Sequence, residues 1–145
     1  MDIDIGYIPL FSIISLVTEI LVTISVLTVI YRAYHSGVFM RMLTYGTLLY
    51  EGAVNISYMT HRLLEHAPDE VTIYHEPGTI ALAAFHGTFS LLMFIALIVF
   101  FLMAAHRYGR GENYFRAHPR LTKTFVVAWL VSISSGIVFF FLLYF

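Results

Sequence analysis

The chain contains no cysteine. That absence excludes disulfides, thiolate-held iron–sulfur clusters, covalently attached c-type haem and thiolate zinc sites. It leaves the compartment open, because a membrane protein without thiols suits either redox environment. Charge is scarce too: 12% of the 145 residues are Asp, Glu, Lys or Arg, against 59% hydrophobic ones. A soluble domain of this size has too little interior to hide so much apolar surface, so the composition points to an integral membrane protein. No phosphate-binding glycine loop, nucleophile–base constellation or nucleic-acid signature is present, so hydrolase or transferase chemistry and a nucleic-acid partner are not expected. The opening MDIDIGYIPLF is acidic where a signal peptide is basic, so no cleavable signal is expected.

What the chain has is long apolar runs. Four stand out, roughly 7–31, 38–64, 78–105 and 121–145. Each exceeds the ~20 residues that carry a helix across the hydrocarbon core. The four runs consume nearly all of the chain, which leaves no room for a separate soluble domain. The expected fold is one all-α unit over 1–145, an integral membrane four-helix bundle of up-and-down topology in a lipid bilayer.

The few basic residues are unevenly placed. Arg32 and Arg41 lie between the first and second runs; Arg107, Arg110, Arg116, Arg120 and Lys123 lie between the third and fourth. The start of the chain holds Asp2 and Asp4, and the second loop holds Glu65, Asp69, Glu70 and Glu76 against Arg62. Short loops rich in Lys and Arg stay cytoplasmic. The pattern predicts loops 32–41 and 106–120 inside, both termini outside, and a multi-pass location in the cell membrane. His66, Asp69, Glu70, His75 and Glu76 cluster in the second loop, but their spacing fits no defined metal site. The basic loop reads as a topology determinant with anionic-lipid contact.

Small residues recur four apart at Ala53 and Ser57 and at Ser132 and Gly136. In lipid no hydrophobic effect drives helices together, so small residues that let backbones approach are the expected packing sites. Ser12, Ser15, Thr18, Thr23 and Ser25 of the first run serve partly the same end. Tyr7, Tyr31, Tyr34, Tyr108 and Tyr144, near run ends, read as interfacial anchors.

The residues that resist this description are polar and lie mid-run. Glu19 is central in the first run and Glu51 in the second. A charge at that depth costs ~3 kcal/mol on insertion scales. Two at one depth on antiparallel neighbours are expected to face each other or a common cavity, and no Lys or Arg shares their level. Either both are not ionised together, or something positive binds between them. Asn55, at i+4 from Glu51, shares its face. Counting from Gly78, His86 falls ~12 Å deep at 1.5 Å per residue, near the level of Asn55, with His61 further out. On the inner side the candidates are His35, His106 and His118.

Three readings of this set stand side by side. His61 and His86 are the axial imidazoles of a b-type haem held in a helical bundle. Alternatively Glu19, Glu51 and His86, with Asn55, bind iron, copper or zinc. In the third, the glutamates are protonated and hydrogen-bonded to Asn55, Thr18 or backbone carbonyls, and the histidines pack helices.

The C-terminal segment, from FHGTFSLLMFIALIVFFLMAAHRYGRGENYFRAHPRLTKTFVVAWLVSISSGIVFFFLLYF, resembles a family of small multi-span membrane proteins linked to maturation of haem-A-containing cytochrome oxidases. The family shows a His early in one span, a short basic loop ending in Phe-x-x-His, and a last span with Trp, a Ser/Thr–Gly step and a terminal Leu-Tyr. Here those positions are His86, the FRAH that ends in His118, Trp129, the SSG that ends in Gly136, and Tyr144. A further family His that closes the preceding span on the outside matches His61. The family's His-Arg-x-x-Met at the inner start of span two is replaced by HSGVFMRM, which displaces His35, so His118 has His35 or His106 as its possible partner. The resemblance covers about the last 60 residues, with span two matching more loosely.

Taken together, the sequence leads to the expectation of a haem- or metal-binding membrane protein. It would act in respiratory oxidase assembly or as a b-type electron-transfer subunit, with a larger respiratory membrane complex, or a second copy, as partner. The alternative is a non-catalytic accessory subunit packed against a larger membrane enzyme.

Overall fold

The computed structural model describes residues 10–64 and 77–145. Among them every regular element is helical: α1 (Leu10–Ser36), α2 (Arg41–Leu64), α3 (Pro77–Gly109), α4 (Tyr114–Ala117) and α5 (Pro119–Tyr144). Three of these, α1, α3 and α5, are long and apolar enough to cross a membrane. The 24 residues of α2 give sufficient length. Its Arg41, Glu51, Asn55, His61 and Arg62, with many Thr, Tyr and Gly, keep it short of the others in apolarity.

The helix ends have local causes. Gly37 ends α1 in the left-handed region at φ +70°, where a side chain would be strained, and its N–H bonds Ala33 O at 3.2 Å. Pro77 opens α3 and Pro119 opens α5, where a missing backbone donor costs nothing. The third helix runs four residues beyond the expected 105, to Gly109. Loop 106–120 is therefore mostly structured. Asn113 caps the single turn of α4 by accepting from Arg116 N at 3.1 Å, and α4 buries Tyr114 and Phe115.

Contacts fix the direction of each helix. Ser12 Oγ and Tyr144 Oη lie 2.8 Å apart, so the start of α1 meets the end of α5. Thr18 meets Tyr50 at 3.3 Å and Phe11 stacks on Tyr58, so α2 runs antiparallel to α1. Phe100 stacks on Phe125 and His86 bonds Ser135, so α3 runs antiparallel to α5.

The apolar core occupies the half of the molecule nearer α4. Val22, Val26, Val29 and Ala33 of α1 meet Leu97, Phe100, Phe101 and Ala104 of α3, Phe115 of α4, and Phe125, Trp129 and Ile133 of α5. Steps of three and four residues put each set on one helix face. Ser132 and Gly136 are buried as the small-residue rule predicts, whereas Ala53 and Ser57 lie exposed. Among the described side chains of α2, Thr44 and Thr47 are the buried ones, so it is the least embedded of the long helices.

The loop side is closed by a clamp on the C-terminus of α1. Its last carbonyls have no partner within the helix. Asn113 Nδ2 donates to Ala33 O at 2.8 Å and Tyr108 Oη to the same oxygen at 3.3 Å. Arg116 donates through Nε to Tyr34 O and through Nη2 to His35 O at 2.6 Å. A guanidinium there also complements the negative end of the helix dipole.

Candidate functional site

The polar residues gather beyond the core, in the half nearer the Ser12–Tyr144 contact. Trp129 marks the boundary, since its indole N–H donates to Thr23 Oγ1 at 3.2 Å. Less than two turns further along α5 the backbone bares itself at Gly136. A Cβ placed on Gly136 would lie 2.7 Å from His86 Cε1, 3.2 Å from His86 Nε2 and 3.3 Å from Glu19 Oε2. The imidazole of α3 and the carboxyl of α1 therefore converge on one bare stretch of α5. Their Nε2 and Oε2 atoms are separated by no more than the sum of the last two distances.

His86 is held from its other nitrogen. Its Nδ1 lies 3.0 Å from Ser135 Oγ, and Ser135 Oγ donates to Ser132 O at 2.6 Å. Phe139 stacks against the ring at 6.2 Å between centroids. The ring is half-buried.

On the facing side, Asn55 Nδ2 donates to Glu51 Oε1 at 3.0 Å and to Glu51 O at 2.9 Å. The shared face expected of residues four apart is thus present, with the amide steering the carboxyl. Glu51 is near enough to Glu19 for the two to repel when both are charged. Glu19 is half-buried, and no hydrogen bond to its carboxyl is found among the described residues.

Glu19, Glu51 and His86 consequently lie at one level, on α1, α2 and α3. His86 and Glu19 both approach Gly136. His61 belongs to α2, ten residues beyond Glu51, and at 1.5 Å per residue its backbone lies about 15 Å further toward the C-terminal end of the helix. Its side chain is outside the described residues, as are His66, Asp69, Glu70, His75 and Glu76.

His35, His106 and His118, at the loop end of the bundle, are exposed and make no contact with one another among the described residues. The His35 ring packs on Tyr31 at 4.4 Å and Tyr34 at 5.4 Å. His118 Nδ1 lies 3.1 Å from Tyr114 O, with the ring on Tyr114 at 4.6 Å. His106 is exposed near the end of α3.

Among the described residues no three His, Asp or Glu side chains are gathered closely enough to hold a metal ion as they stand. Glu19 and His86 are the two such side chains that approach Gly136 together. Imidazole and carboxylate together suit iron, copper(II) and zinc. Ser132 and Ser135 complete the site; the sequence marks Ser132 only as a packing residue and Ser135 only within the SSG step, and neither as a partner of His86. A helical serine returns its proton to a carbonyl one turn back. The chain matches no protein-family model, no curated protein and no solved structure.

Proposed function

We propose that the chain is an integral membrane protein of four spanning helices that binds a transition-metal ion through His86, Glu19 and Glu51, with Asn55 orienting Glu51. We infer that it serves the assembly of a haem-A-containing cytochrome oxidase. The convergence of His86 Nε2 and Glu19 Oε2 on Gly136 carries the metal reading. Two carboxyl groups within repelling distance and no nearby Lys or Arg make a site that a cation stabilises. The charge of the ion would draw Glu51 onto the Glu19–His86 pair.

The role in oxidase assembly rests on the resemblance of the C-terminal segment, including His86, Trp129, Gly136 and Tyr144. The basic residues of loops 32–41 and 106–120 support a cytoplasmic position for both loops and an outer position for both termini, in the cell membrane. An ion is favoured over a b-type haem bridging His61 and His86 by the spacing along α2. A bis-imidazole haem takes two histidines at about one level, whereas His61 lies about 15 Å beyond Glu51.

The test is elemental analysis and an absorption spectrum of the detergent-purified protein. Stoichiometric iron, copper or zinc is expected, lost in His86→Ala and Glu19→Gln while circular dichroism shows the helices retained. Folded protein without any of the three metals refutes the reading. A Soret band that disappears in His86→Ala or His61→Ala assigns haem in place of the ion.

A further inference from the structure

We propose that Ser135 is a positioning residue that fixes His86 in its Nδ1–H tautomer and turns the free Nε2 lone pair toward Glu19. A serine hydroxyl has one proton to give. In Ser135 that proton goes to Ser132 O, at 2.6 Å, and a carbonyl can only accept. Toward His86 the Ser135 oxygen is therefore an acceptor, and the 3.0 Å contact requires a proton on Nδ1. Neutral imidazole carries one proton, so Nε2 is left as the acceptor, or as the metal-binding nitrogen. The chain His86 Nδ1–H, Ser135 Oγ–H, Ser132 O runs in one direction and ends on the α5 backbone.

The geometry of α5 makes the arrangement self-consistent. Ser132, Ser135 and Gly136 lie three and four residues apart on one face. The serines grip the ring from one nitrogen, and the glycine leaves space for its opposite edge, where Cε1 and Nε2 face Glu19 Oε2. With Nε2–H instead, the ring would turn its lone pair at a serine with no proton left, and its proton into the site. This deepens the metal reading given above and rests on it only where metal affinity is measured.

Two measurements separate the tautomer from the metal. The first is the nitrogen spectrum of ¹⁵N-histidine-labelled protein in detergent, in buffer alkaline enough to keep imidazoles neutral, with the His86 signals assigned by their loss in His86→Gln. Wild type is expected to show a protonated Nδ1 and an unprotonated Nε2, the opposite of the form free histidine favours. Ser135→Ala is expected to return His86 toward the Nε2–H form, and Ser135→Thr to keep Nδ1–H, because threonine bonds the preceding turn in the same way.

The second is zinc titration of the three proteins. Zinc affinity is expected to fall about 10- to 100-fold in Ser135→Ala and to recover in Ser135→Thr, the usual effect of losing a ligand's orienting partner. An Nε2–H tautomer in wild type, or a Ser135→Ala protein whose tautomer is unchanged, overturns the role of Ser135. If wild type binds no zinc and yet loses its Nδ1–H tautomer in Ser135→Ala, Ser135 stands and the metal reading falls.

Discussion

Replacing Gly136 by alanine asks whether the His86–Gly136 contact is as close as the geometry requires. The new methyl would stand 2.7 Å from His86 Cε1, which is 0.7 Å short of the 3.4 Å at which ordinary contact begins. The ring cannot retreat without stretching its 3.0 Å bond to Ser135. Overpacking of this kind costs about 1–3 kcal/mol. Alanine also improves helix propensity over glycine by about 1 kcal/mol, which offsets part of that cost. The net change in wild type is thus small and poorly diagnostic, and a double-mutant cycle is the sharper measurement. In a His86→Ala background the clash with the ring is gone and Glu19 Oε2, at 3.3 Å, has only to give by about 0.1 Å, so Gly136→Ala should stabilise by up to about 1 kcal/mol from propensity. The coupling between the two positions should therefore equal the overpacking term, about 1–3 kcal/mol. Reversible unfolding in mixed detergent micelles, followed by circular dichroism, gives the four stabilities needed. Equal effects of Gly136→Ala in the two backgrounds would refute the contact and, with it, the placement of His86 at the level of Glu19.

Trp129→Phe keeps most of the packing volume but removes the indole donor to Thr23, and should cost about 1 kcal/mol; no further loss is expected when it is combined with Thr23→Val, and full additivity would show that the bond does not form. Asn113→Ala removes both the α4 cap and the donor to Ala33 O, so about 1–2 kcal/mol should be lost in the same unfolding assay. Arg116→Ala should cost less than Asn113→Ala despite two hydrogen bonds, because Arg116 is exposed and its charge is screened; the reverse order would show that the guanidinium is the principal fastening of α1. Leu97→Ala should fall toward the lower end of about 2–5 kcal/mol, because in a micelle packing is lost but transfer from water is not. Leu49→Ala, at a residue 75% exposed, should change stability by less than about 0.5 kcal/mol, and equal losses at the two leucines would contradict the assigned core.

The helices were legible because each long apolar run has one cause, the need to satisfy every backbone group away from water. Glu19, Glu51 and Asn55 were legible for the same reason, since polarity at mid-run has no cheap explanation. The meeting of His86 and Glu19 at Gly136 was not, because depth along a helix does not say which faces converge. Nor could residue type announce α4. Its loop reads as a basic topology determinant in contact with anionic lipid, yet Arg116 and Asn113 spend their donors on the terminal carbonyls of α1, a tertiary accounting invisible along the chain. Ala53 and Ser57 show the opposite error. They repeat the small-residue spacing of Ser132 and Gly136, but α2 turns them outward, and spacing alone does not say which face a neighbour covers.

The distribution of packing explains why the polar set is divided as it is. His86 and its serine grip sit on α3 and α5, which share the aromatic core through Phe100, Phe125 and Trp129. Glu19 sits on α1, whose other end is fixed by four side-chain hydrogen bonds from the α3–α5 segment. Those three helices hold the imidazole and the first carboxyl in a set geometry. Glu51 is on α2, where Thr44 and Thr47 are the buried residues, and its carboxyl is restrained by Asn55 within the same helix. Like charges resist approach, and if the site binds a cation as proposed, the carboxyl that must move is carried by the helix with the least packing to lose. Under the proposed metal reading, the well-packed α1, α3 and α5 present Glu19 and His86, while α2 brings a second acid that Asn55 holds within its own helix until a cation arrives.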